Sequence, residues 1–175
     1  MKIKKIDAAK RQLDTAIQLW FQEADAVSVH TLVYAAYEII HVVSKRRGRK
    51  ETLIFDSEIV RPDAKALWAQ ITKGSANFFK HAKDDFDAEI DFDPTISESF
   101  IAMSIFGLDL CGEPRSLFSA AFFLWLMIHK PDLFTDDASR RINDLVGVKP
   151  KGLLNLSRTE FLKRFIEVNS RTARK

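Results

Sequence analysis

Glu38 and His41 stand three residues apart in a run, Ala26 to Ser44, that carries no other formal charge. On a helix, an i, i+3 spacing sends a carboxylate and an imidazole out of one face toward a common point. Di-iron carboxylate bundles build half of their centre this way. The full centre needs a second such pair and further inward carboxylates, and this chain offers neither. What the residue types allow is a single ion held by Glu38 and His41, with His81 from another helix; no metal or other cofactor is expected. The same stripe carries His30, Tyr34 and Tyr37, where a surface helix would place Lys and Glu. Two roles are open to it: the polar seam of a core or subunit interface, with each group satisfied by a partner, or a binding site.

A second candidate is Asn77-Phe78-Phe79-Lys80-His81, in which Asn77 and His81 share a helical face beside Lys80. Tyr37, Glu38 and His41 are expected to meet Asn77 and His81 across a helix–helix contact, since each set needs the polar partners the other supplies. The ligand-binding set read from the sequence is therefore His30, Tyr34, Tyr37, Glu38, His41, Asn77, Lys80 and His81.

A helical hairpin followed by this Asn-x-x-Lys-His element resembles a group of uncharacterised bacterial all-helical proteins. More distantly, over residues 6–85, it is similar to the HEPN superfamily, whose nuclease members cut RNA across a dimer groove with an Arg-x4–6-His motif. Only His81, with Asn77 before it, matches that motif; residues 72–77 are Thr, Lys, Gly, Ser, Ala and Asn, with no Arg. The resemblance implies a dimeric helical protein that contacts RNA, as in toxin–antitoxin or defence systems, without the arginine that cleavage uses.

These side chains must be positioned by helices. Ile6, Leu13, Ile17 and Trp20 recur at helical spacing and predict a first helix over 6–23. Asp25 caps the second, 26–44, which stops at Lys45-Arg46-Arg47-Gly48. So short a connection makes the two an antiparallel hairpin. Pro62 opens a third helix, 64–73, ending at Gly74, with Ser75 capping a short one over 76–82. Phe86, Ala88, Ile90 and Phe92 alternate with acids, the strand period of two. A lone strand is unstable, so this extended segment is expected to lie on the helices or pair across a dimer. Thr95 or Ser97 caps a helix over 98–110, and Pro114 precedes another, 115–129. A polar helix over 136–145, an amphipathic one over 159–168 and a mobile tail from 170 complete the reading. The fold class is all-α: one domain, a bundle of about six to seven helices with one short extended segment near 86–92.

Composition narrows the function classes. The run 117–128 is the most apolar, but twelve residues fall short of the ~20 that cross a bilayer; it reads as the central core helix, with Phe123 at its middle. Cys111 is alone and precludes an intramolecular disulfide, and the start lacks the apolar stretch of a secretory signal. A cytoplasmic protein is expected. Fourteen phenylalanines exceed what one core needs and predict a homodimer that buries Phe and Trp side chains. Basic residues fill five of the six positions 45–50, and eight stand against two acids from 149 to 175. They suit helix C-termini and solubility, or RNA phosphates. The acidic run 84–93 lacks the glycine of a calcium loop and reads as a solvated edge. No phosphate-binding glycine loop, Ser-His-Asp set or CxxC is present. A small-molecule ligand for the stripe fits this composition, and no membrane partner is expected.

Overall fold

The structure is a computed structural model and describes residues 1–48, 61–82, 86–135 and 151–172. Among these, seven α-helices run in the order α1 (Lys5–Phe21), α2 (Ala26–Arg46), α3 (Lys65–Phe78), α4 (Ile96–Leu110), α5 (Leu117–His129), α6 (Lys151–Leu154) and α7 (Arg158–Thr172). Single 3-10 turns, Pro62–Ala64 and Pro131–Leu133, precede α3 and follow α5. The all-α expectation holds, and no strand forms among the described residues.

Local chemistry sets the helix ends. The Asp25 carboxylate accepts the Ser28 N–H at 2.7 Å and opens α2. Ser116 Oγ accepts the Ser119 N–H at 3.0 Å and opens α5. Ser157 and Glu160 form a reciprocal capping box on α7: Ser157 N–H reaches Glu160 Oε2 at 2.9 Å, and Glu160 N–H reaches Ser157 Oγ at 3.3 Å. The residues nominated to cap α4 do otherwise. Asp93 accepts both the backbone N–H and the hydroxyl of Thr95, while Ser97 is buried and faces the core.

Helices α1 and α2 form the expected antiparallel hairpin. Ala9, Leu13, Ala16, Ile17 and Phe21 of α1 are fully buried, as are Val33, Ala36, Tyr37 and Ile40 of α2. Helices α4 and α5 close the core. Trp20 meets Phe21, Phe122 and Trp125 edge-on at centroid distances of 4.7–5.0 Å, pairs worth ~0.5–1.5 kcal/mol each beyond burial. Helix α7 adds Phe161, stacked on Phe21, and the Thr159 hydroxyl donates to the Phe21 carbonyl at 2.9 Å. By length and composition α2 is also apolar enough to cross a membrane; here Val29, His30, Val33, Tyr34, Ala36, Tyr37 and Ile40 are buried against protein, while Val27, Glu38 and Val42 are exposed.

Four expectations change. Helix α3 continues through Gly74 to Phe78 instead of breaking there; an internal glycine costs only ~1 kcal/mol. The period-two segment is irregular, and over 86–93 only Phe92 is part-buried, docked on the helices. The core residue of α5 is Phe122, fully buried, whereas Phe123 sits half-buried between Phe106 and Phe134. Helix α7 runs to Thr172, past the expected start of a loose tail. The expected helix over 136–145 and the side chains of Trp68 and Ile71 lie outside the described residues.

Candidate functional site

The stripe of α2 divides along its length. Its N-terminal part is interior: His30 and Tyr37 are 0% exposed and Tyr34 1%. His30 Nδ1 lies 3.1 Å from the Ser97 hydroxyl of α4, so the serine nominated as a cap is instead the partner of the buried imidazole. Four rings box the imidazole, those of Tyr34, Phe79, Phe92 and Phe100, at centroid distances of 5.1–6.2 Å. His30 Nε2 is buried and has no hydrogen-bond partner among the described residues. Burial disfavours the imidazolium, the Lys80 ammonium adds repulsion, and together they push the pKa of His30 down to about 4. His30 is therefore neutral in the folded protein at pH 7.

Toward the C-terminus the stripe surfaces. Tyr34 and Tyr37 both lean edge-on against Phe100, and His41 packs beside the Tyr37 ring. Glu38 is exposed and pairs with Lys80, Nζ to Oε2 at 3.5 Å. The same ammonium sits 4.7 Å from the centre of the Tyr34 ring. Burial first, and then the Glu38 carboxylate, raise the Tyr34 phenol well above its ordinary range. Farther along, Ser44 is buried against α4, with its hydroxyl 3.1 Å from Cys111 Sγ; Cys111 itself is part-buried. The Arg47 guanidinium donates to the Cys111 carbonyl at 2.7 Å. These contacts make the stripe the polar seam by which α2 grips α4 and the end of α3.

The contact between the stripe and the Asn77–His81 element is made by Lys80, to Glu38 and Tyr34, and not by the expected Asn77 and His81. Asn77 and His81 are exposed, and the His81 side chain makes no hydrogen bond or ring contact with any described residue. No group of three or more His, Cys, Asp and Glu side chains that would hold a metal ion occurs among the described residues, so Glu38, His41 and His81 do not assemble one.

Two features escaped sequence reasoning. A cavity of about 340 Å³ opens where the α1–α2 turn, the start of α4 and the start of α7 meet, walled by Trp20, Glu23, Ser97, Glu98 and Arg158 among others. Its residues come from three separate stretches of chain, 20–29, 94–98 and Arg158, and no local motif announces it. The second is the outer face of α4 and α5. Met103, Phe106 and Leu110 surround one hollow of about 450 Å³, and Ala102, Met103, Leu126 and Leu133 a neighbouring one of about 410 Å³. The signal for this face was present: both helices are apolar almost all round, which is more than one buried side requires.

Comparison of the chain with protein-family models, with curated proteins and with solved structures finds no match.

Proposed function

We propose that the protein is a dimeric interaction module, a helical bundle that pairs with a second copy of itself through the outer face of α4 and α5. The observation that carries this reading is the apolar surplus of that face. Phe106, Leu117 and Leu133 are 39%, 41% and 69% exposed, and Met103, Leu110, Phe123 and Phe134 lie half-buried among them. Charge supports a two-fold pairing. Lys130 borders the groove at one end, and Asp109, already bound to Arg115, borders it at the other. Antiparallel packing of α4 on its symmetry mate brings the Lys130 end of one copy to the Asp109 end of the other, as an isologous interface requires. Such an interface should bury more than ~1,000 Å². Light scattering at micromolar concentration should give twice the chain mass of 20.0 kDa. Phe106→Asp should yield a monomer with unchanged helicity. A wild-type protein that already scatters as one chain removes this reading.

A second reading, contact with RNA, is favoured by how the hairpin sorts charge. Its antiparallel course carries the start of α1 to the end of α2, where Lys10 and Arg47 both bind Glu113 at 3.2 and 3.3 Å. Lys2, Lys4, Lys5, Lys45 and Arg46 are all exposed near that end. A surface of this kind binds phosphates with a steep salt dependence. RNA affinity should fall by more than tenfold between ~50 and 200 mM salt, and Lys4→Glu with Arg46→Glu should abolish it. Equal migration of free and protein-mixed RNA at the lower salt excludes this reading.

A further inference from the structure

We infer that the cavity between the α1–α2 turn and the starts of α4 and α7 is a binding site for a small zwitterion, an α-amino acid with an apolar side chain. This site is separate from the self-association face and stands independently of it.

The cavity's charged lining has opposite signs placed side by side. The Arg158 guanidinium lies 4.0 Å from the centre of the Trp20 ring and donates through Nη2 to Glu98 Oε1 at 3.1 Å. Glu98 is mostly enclosed, its side chain 16% exposed, and that of Arg158 is 34% exposed. This single contact leaves the remaining guanidinium N–H groups and Glu98 Oε2 for a ligand. The third charged residue, Glu23, completes the rim. One cation against two carboxylates repels a polyanion. The helix starts do not reverse this, because Asp25, Asp93 and Glu160 each accept one backbone N–H there, from Ser28, Thr95 and Ser157, and add negative charge. A ligand carboxylate on Arg158 and an ammonium between Glu23 and Glu98 satisfy all three side chains. The remaining wall is Ala26 and Pro94 with the accessible edges of Trp20 and Val29, which are 5% and 3% exposed, a shallow apolar seat for a side chain. A volume of about 340 Å³ lies at the small end of ligand pockets, which span ~300–1,000 Å³.

Glu23 adds an independent mark. It follows the end of α1 at φ 53°, the left-handed position where helices usually place glycine, and its successor Ala24 closes the turn by donating to the Leu19 carbonyl at 3.0 Å. A glutamate is a costlier residue than glycine for this backbone. Its side chain has no part in the turn, and its presence there is explained by what the carboxylate does at the cavity rim.

The test is titration calorimetry of the full chain with L-leucine, L-valine and L-phenylalanine, with L-leucinamide and 4-methylpentanoate as controls lacking the carboxylate and the ammonium. At least one amino acid should bind saturably, and the controls to leucine should bind at least about tenfold more weakly, the loss expected when a charged partner is left unpaired. Glu23→Gly separates binding from folding. It should melt at or above the wild-type temperature, because glycine suits the turn, yet bind the amino acid at least about tenfold more weakly. No saturable heat with any of the three amino acids overturns the inference, as does wild-type affinity in Glu23→Gly.

Discussion

Replacing Phe122 with alanine should destabilise the bundle by about 3–5 kcal/mol, the cost of emptying a large aromatic from a closed core. Phe122 is 0% exposed and meets Trp20 edge-on at 5.0 Å while lying against Trp125 at 6.4 Å. Those rings belong to α1 and α5, and Arg158 of α7 covers Trp20 from outside. The neighbouring Phe123→Ala should cost less than half as much, because Phe123 is half-buried and its contacts, Phe106, Phe134 and the Arg115 guanidinium at 4.1 Å, lie at the surface. Urea unfolding of the two variants side by side measures the contrast. Equal losses would mean that the two rings share one interior.

The second large effect is a loss of stability in mild acid, traced to His30. Its folded pKa of about 4 lies below the ordinary value of 6.5, so the native state binds fewer protons than the unfolded chain between these limits. Stability is therefore fully present above pH ~6.5 and declines as pH falls toward ~4, by on the order of 3 kcal/mol at 1.36 kcal/mol per unit. Below that the native imidazole also protonates and the loss stops growing. Asp25, Asp93, Glu113 and Glu160, held below their usual range by the groups that hydrogen-bond them, act at lower pH, while burial of Asp14 acts with the opposite sign. His30→Gln keeps a polar atom for Ser97 and cannot titrate. It should flatten the profile between pH 6.5 and 4.5 even if the variant is less stable throughout. A wild-type stability constant across that interval would falsify the assignment.

The hairpin, the helix caps at Asp25 and Arg47-Gly48, and the all-α class follow from features within one or two helical turns, which periodicity reads directly. The strand-like alternation at 86–92 misled because the same pattern arises where acids keep a connecting segment wet and one aromatic, Phe92, anchors it. Gly74 misled because a glycine's helix cost is small beside the helix around it. The stripe itself was legible as enclosed, down to His30, Tyr34 and Tyr37. Lys80 stood in the set expected around the stripe, but Ser97 and Phe100 were not legible as its partners, because they are distant in sequence and only packing selects them.

Hydrophobic spacing along the chain thus determined that α2 is a core helix and that the buried part of its polar face needs partners, since an unpaired buried group is costly wherever it occurs. The enclosure is less complete than the spacing suggested: Val27 and Val42 are 41% and 50% exposed, and Glu38 is at the surface. The tertiary structure decided that this face is a seam against α4. It also decided that the accessible polar cavity lies instead around Trp20 and Arg158, 138 positions apart in the sequence. A seam and a site use the same residue types at the same spacing. What separates them is whether another helix or open space stands opposite, and that is set by long-range packing of the whole bundle.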